Sequence, residues 1–320
     1  MYLIQDRAQG NDLLVTVGGR NSYTSRWLDV WYWTSNETHV EFLDASDPAA
    51  LVSLETLSIE GQLVSSRRIG DVLYLVTRYT PYLAGYETYA YSDESRQNNA
   101  ELLTGSTLDD LLPKVTDSQQ QVSNLIDSSD CYLPTRSLDV NSDPSIITVT
   151  AIPLAAPGEQ QSTCFLGDSE TLYMTAESLY LTTTQYNYQT FSTAALVYDP
   201  QHTTAIHKFA LQSGGIEYRG SGQVRGHLGW AEDKKSFRMG ENGDYLNIVT
   251  SIGDTWGQTS STRLTVLKEA SQGNALQVVS VIDGIGKPDE RLYAARFLGN
   301  RAYLVTFRLT DPLYVVDLSD

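Results

Sequence analysis

Residues 64–77 read VSSRRIGDVLYLVT, and residues 293–306 read YAARFLGNRAYLVT. Laid side by side without gaps, they share Arg67/Arg296, Gly70/Gly299, Tyr74/Tyr303, Leu75/Leu304, Val76/Val305 and Thr77/Thr306. Six matches in fourteen columns, where unrelated sequence gives roughly one, mark an internal repeat. A second pair lies nearby. VEFLDASD at 40–47 matches LYVVDLSD at 313–320 through Asp44/Asp317, Ser46/Ser319 and Asp47/Asp320. The alternation within these blocks has the period of two expected of strands, and Gly and Ser-Asp-Pro turns punctuate them.

Weaker copies extend the pattern. Leu179-Tyr-Leu-Thr-Thr, Tyr245-Leu-Asn-Ile-Val-Thr and Asp12-Leu-Leu-Val-Thr echo the Tyr-Leu-Val-Thr strand. Ala195-Leu-Val-Tyr-Asp and Leu264-Thr-Val-Leu echo the strand after it. A further strand type follows at Ser53–Gly61, Ala205–Leu211 and Val278–Gly284. The cycle is a strand ending in Gly, a Tyr-Leu-Val-Thr strand, a strand ending in Asp, and an outer strand. Four antiparallel strands on short turns make one blade of an all-β propeller. About five such units fit in residues 1–320, the first and last incomplete. The expectation is a propeller that is part of a larger ring. The competing expectation is that Tyr2-Leu-Ile-Gln supplies a missing strand and closes a small one.

Two connections exceed simple turns. The first, 20–37, carries Trp27, Trp31, Tyr32 and Trp33. The second, 79–144, is an insertion within one blade, rich in Tyr, Ser, Asp and Gln. Its centre, Ser106-Thr-Leu-Asp-Asp-Leu-Leu-Pro, has an N-cap residue, then acidic residues, then apolar spacing of three to four, which predicts a short helix. The chain has two cysteines, Cys131 and Cys164, with no CxxC and no neighbouring histidine. A disulfide fits better than zinc, and it implies an oxidising compartment. A bridge would tie the insertion back onto its blade as a cap.

Charge narrows the partners. The chain carries 39 acidic and 22 basic residues, a net charge of −17. Nucleic-acid binding needs a basic stripe to displace counterions, and the sequence has none. Anionic membrane surfaces repel such a chain. No apolar run reaches the roughly 18 residues of a membrane span, and Met1-Tyr-Leu-Ile-Gln has neither the basic n-region nor the long h-region of a signal peptide, so the expectation is a chain that is cytosolic or already processed.

Leu63–Arg78, Tyr218–Leu228, Leu292–Phe307 and Asp311–Asp320 together resemble bacterial and archaeal secreted proteins with a C-terminal β-propeller domain distantly related to WD40 repeats. The resemblance covers nearly the whole chain. It implies export, and a propeller that continues past Asp-Leu-Ser-Asp. It carries no activity onto particular residues.

The candidates for chemistry are few. Tyr218-Arg-Gly-Ser-Gly-Gln-Val-Arg-Gly-His-Leu-Gly is Gly-rich and holds Arg219 and His227. Such a stretch lets backbone N–H groups approach a ligand, but it is neither a Walker loop nor a dinucleotide fingerprint. No GxSxG elbow is present. Asp44–Asp47 and Asp317–Asp320 carry oxygens that suit Ca²⁺, the one cofactor considered, and an Asx turn explains them equally. Arg67 and Arg296, recurring at equivalent positions, suit either a structural ion pair or an anion site. The rings Trp27, Trp31, Tyr32 and Trp33 suit a sugar or protein partner, or a cap over the blades. The expectation is a secreted or envelope scaffold that binds a protein or glycan without catalysis. Two alternatives stand beside it: a polysaccharide hydrolase or lyase using the central funnel, and a structural domain of a larger precursor.

Overall fold

The computed structural model describes residues 1–5, 12–19, 37–87, 89–132, 145–167, 170–185, 202–212, 215–253, 260–287, 290–308 and 312–319. Contacts divide the chain into two compact units, Met1–Asp168 with Ser213–Ile216, and Ser169–Gln212 with Glu217–Asp320. Among the described residues, no helix is long and apolar enough to cross a membrane.

The first unit holds two sheets. One runs β1 (Tyr2–Ile4), β2 (Leu13–Gly19), β3 (Glu37–Asp44) and β4 (Val52–Glu60), antiparallel and in sequence order. The other begins with β5 (Gln62–Ile69) and β6 (Val72–Tyr79) and continues through β10 (Ile146–Pro153) and β11 (Gln161–Leu166). The repeated glycine has a physical role here. Ile69 pairs with Val72, so Gly70-Asp71 is a two-residue turn, and Gly70 has φ +57°. Positive φ at a hairpin turn is cheap for glycine alone. Gly299 does the same before Asn300, with φ +54°. The Tyr-Leu-Val-Thr strand β6 buries Leu73 through Thr77 in succession. Both of its faces are covered, so it reads as an apolar run rather than an alternation. Val15, Phe42, Leu57, Ile59, Leu73, Leu75 and Ile152 join the two sheets in one core.

The 79–144 insertion leaves and returns at one point, because Tyr79 pairs with Ile146. It contains α1 (Asp93–Gly105), α2 (Leu108–Leu111), β7 (Lys114–Thr116), β8 (Val122–Asn124) and β9 (Cys131–Tyr132). The helix expected near Thr107 is α2, where the Thr107 hydroxyl and N–H both donate to the Asp110 carboxylate (2.7 and 2.8 Å). Helix α1 was not anticipated. It is mostly polar, and Asn99 is its one buried residue. That amide bonds both backbone groups of Glu87 (2.9 and 2.7 Å). Strands β7 and β8 extend the first sheet beyond β4, and β9 pairs with β11 of the second. The insertion therefore covers two strand edges that would otherwise be open to association.

The second unit holds three sheets. They are β12 (Thr171–Met174), β13 (Ser178–Gln185), β14 (Thr203–Gln212) and β15 (Gly215–Arg225); β16 (Met239–Asn242), β17 (Tyr245–Ile252), β18 (Ser261–Glu269) and β19 (Leu276–Ile285); and β20 (Arg291–Leu298), β21 (Arg301–Phe307) and β22 (Leu313–Asp317). Helix α3 (Glu232–Lys235) and the turn Ser236–Arg238 precede β16. The Gly-rich stretch differs from expectation. Most of it is strand β15 rather than a ligand-cradling loop. A Cβ on Gly220 would lie 2.6 Å from the Ala275 nitrogen, and one on Gly226 would lie 2.6 Å from the Ser251 oxygen. Ser221 and His227 form β-bridges at these points with Ala275 and Ser251. The glycines admit neighbouring backbone, not a ligand.

Candidate functional site

The insertion meets its own blade at a disulfide. Cys131 and Cys164 are joined, with Cα atoms 4.4 Å apart, opposite one another in the parallel β9–β11 pair. The segment leading into Cys131 is pinned from below. Leu125 sits in the core with Leu57 and Val115, and Ile126 packs with Leu112, Ile146 and Cys164. It is also braced from the sides. The Lys114 ammonium bonds the Asp109 carbonyl and the Asn124 side-chain oxygen. The Thr163 hydroxyl donates to the Asp130 carbonyl at 3.0 Å. The Asp127 carboxylate accepts the N–H and the hydroxyl of Ser129, each at 2.9 Å, and these bonds hold its pKa below the ordinary carboxylate range.

Above this segment opens a cavity of about 590 Å³. Its walls carry the carboxylates of Asp109, Asp127 and Asp130 and the amides of Asn124, Gln160 and Gln161. Ser162 and Thr163 add hydroxyls, and the Tyr132 ring adds the one aromatic surface. The volume falls in the usual range for small-molecule sites, but most such sites are apolar. A wall of carboxylates and amides matches a ligand covered in hydroxyl groups, because each such group pairs an acceptor with a donor. It also repels anions. Among the described residues, no three His, Cys, Asp or Glu side chains converge closely enough to hold a metal ion.

Of the residues singled out in the sequence, Trp27, Trp31, Tyr32 and Trp33 lie outside the described residues. Arg67 is exposed on β5 in the first unit. Arg219, His227 and Arg296 lie in the second unit. Arg219 bonds Glu269 through two nitrogens (3.1 and 2.9 Å) and Glu217 through a third (3.1 Å). Glu269 also meets the buried Lys208 at 2.9 Å, and Lys208 reaches Glu241 at 3.5 Å. Glu241 in turn accepts the hydroxyls of Tyr180 (2.7 Å) and Thr175 (2.6 Å). Arg219 is thus one rung of an ion-pair ladder crossing two sheets. His227 is buried and its Nδ1 accepts the Gly229 N–H at 3.0 Å. Burial first, then Arg238, His202 and Lys235, push its pKa down to about 3, so the ring is neutral. Arg296 is exposed on β20, with its guanidinium 3.4 Å from the centre of the Phe237 ring. The Asp44 and Asp317 carboxylates each accept the N–H and hydroxyl of the serine two residues on, the geometry of an Asx turn.

The cavity residues escaped the sequence reading. The β9–β11 pairing brings segments 124–132 and 160–163 together, and Lys114, bonded to Asp109 and Asn124, brings Asp109 to them. The one signal pointing there was the cysteine pair.

A family model described as a beta propeller domain matches residues 1–320. An uncharacterized protein of Methanocaldococcus jannaschii is 38% identical over 117 residues, covering 37% of this chain and 17% of the relative. An uncharacterized protein of Archaeoglobus fulgidus is 39% identical over 117 residues, covering 37% and 16%. The matched stretch is about a sixth of the length of these relatives. Among solved structures, the acylaminoacyl peptidase of Pyrococcus horikoshii aligns over 96% of this chain and 43% of its own, at 8% identity and a TM-score of 0.33.

Proposed function

This chain belongs to the beta propeller domain family, and on that frame we propose that it is a non-enzymatic binding scaffold whose cavity beside the disulfide takes a neutral, polyhydroxylated ligand such as an oligosaccharide. The observation that supports this reading is the lining itself, in which carboxylates, amides and hydroxyls surround one tyrosine ring. The disulfide favours an exported protein acting in the envelope or outside the cell.

Three carboxylates around one cavity also favour a second reading, a polysaccharide hydrolase. Glycoside hydrolysis requires an acid whose pKa is raised toward neutrality. Asp127, one of those three, is held below the ordinary carboxylate range by its bonds to Ser129, which suits a charged hydrogen-bond acceptor rather than a proton donor.

The test is a glycan array followed by calorimetric titration of the best neutral oligosaccharide. Replacing Gln161 and Asp130 by Ala should weaken binding by roughly tenfold or more, the scale of a lost bidentate contact. Binding that is unchanged in this variant would move the site elsewhere. Reducing ends appearing during incubation would favour the hydrolase.

A further inference from the structure

A different face, in the second unit, bears a different chemistry. Trp230, Phe237 and Tyr293 are 49%, 43% and 58% exposed. Two cations lie on these rings. The Lys234 ammonium is 3.8 Å from the centre of the Tyr293 ring, and the Arg296 guanidinium is 3.4 Å from that of Phe237. We propose that Trp230, Phe237 and Tyr293, with Lys234 and Arg296, form a docking surface for an acidic peptide segment of a partner protein.

Charge carries the argument. In a chain with 39 acidic and 22 basic residues, cations find carboxylates easily. Lys208, Arg219, Lys235, Arg263 and Lys268 all do so. Among the described residues, Lys234 and Arg296 meet no carboxylate within 4.0 Å. Both rest on aromatic faces instead, where a cation keeps much of its field for an incoming anion. Arg291 is also exposed on β20. Asp233, exposed on α3, opposes them.

The surface is built on a rigid base. Behind Lys234, Lys235 is 2.7 Å from Glu170, with both side chains buried. Arg238, next to Phe237, donates to the Ser251 hydroxyl (3.0 Å) and to the Leu292 carbonyl (3.2 Å), and so fixes this turn against β20. Gly229 lies against the Arg238 guanidinium, where a Cβ would come within 2.6 Å, and this places Trp230 beside the same turn. Exposed aromatic rings held by such a base resemble the hot spots of protein interfaces, which favour Trp, Tyr and Arg. A regular polyanion gains its affinity from many phosphate or carboxylate contacts. Two cations among large rings suit a segment that mixes acidic and apolar residues.

The test uses the whole chain and fluorescence anisotropy. The probes are a labelled peptide of Glu, Leu and Gly, its Lys-for-Glu counterpart, an oligogalacturonate and an oligothymidylate. The acidic peptide should bind, and more weakly as salt is raised. Its Kd should rise by roughly tenfold or more in Lys234→Glu/Arg296→Glu and in Phe237→Ser/Tyr293→Ser. Phe237→Tyr, which keeps the ring, should bind like the parent, and oligosaccharide titration at the first unit's cavity should not change in any variant. Absence of peptide binding, or binding unchanged in both double variants, overturns the proposal. So does preference for the oligogalacturonate or the oligothymidylate.

Discussion

His227 shows how a residue's surroundings decide its charge. Its ring touches His202 edge-on (centroids 5.6 Å apart), lies near Trp230 and shares its pocket with Arg238 and Lys235. The native ring stays neutral down to about pH 3, whereas an unperturbed imidazole takes its proton near 6.5. Between these values the unfolded chain binds more protons, so stability falls as the pH drops through that window. His207, pushed by burial to about 4, adds in the same direction. Stability should fall with acid from pH 6.5 to 5, with about 2 kcal/mol of the loss due to His227. His227→Gln should flatten the slope by that amount in urea titrations at the two pH values. An unchanged slope would show that the ring is already charged in the native state. The sequence placed His227 among glycines, which read as a ligand loop. It could not show that those glycines face the Ser251 and Ala275 backbones, because close approach between distant strands leaves no local mark.

The insertion is the element with the most to lose from one bond. The Cys131–Cys164 disulfide spans a sequence separation of 33. A loop of that length restricts the unfolded chain by about 3–4 kcal/mol in the entropic account. β9 is only two residues long, too short to hold its place by hydrogen bonds alone. Cys131→Ser/Cys164→Ser should therefore lower the melting temperature by roughly 5–10 °C. It should also expose segment 124–132 to proteolysis and abolish oligosaccharide binding at the cavity. A variant that melts lower but still binds would separate the tie from the site. The helices within the insertion were unequally legible. α2 announced itself through its cap, Thr107, and the acidic residues after it. α1 carries acidic residues in its first turn but no apolar period, since it is tied to the preceding segment largely by polar side chains, Arg96, Asn98 and Asn99. A pattern search for buried faces passes over such a helix.

At the scale of the whole molecule, a net charge of −17 sets a background of self-repulsion. Much of the internal electrostatics is short-range, as in the buried Lys235–Glu170 pair and the half-buried Lys208–Glu269 pair, which salt affects little. Raising NaCl from low to moderate concentration should therefore raise the melting temperature in calorimetry. A fall would mean that attractive surface pairs outweigh the repulsion. By itself the sequence determined the strand type, the repeat, the turn glycines Gly70 and Gly299, and the likelihood of a cysteine bridge, because alternation, turn geometry and composition are local properties of a chain. Only the tertiary structure decided which side chains share a space. Tyr132 and Gln161 line one cavity because β9 docks on β11, and Arg296 meets Phe237 because the Ser236–Arg238 turn packs against β20. Those meetings depend on pairing and packing between segments far apart in sequence, which no stretch of the chain specifies alone.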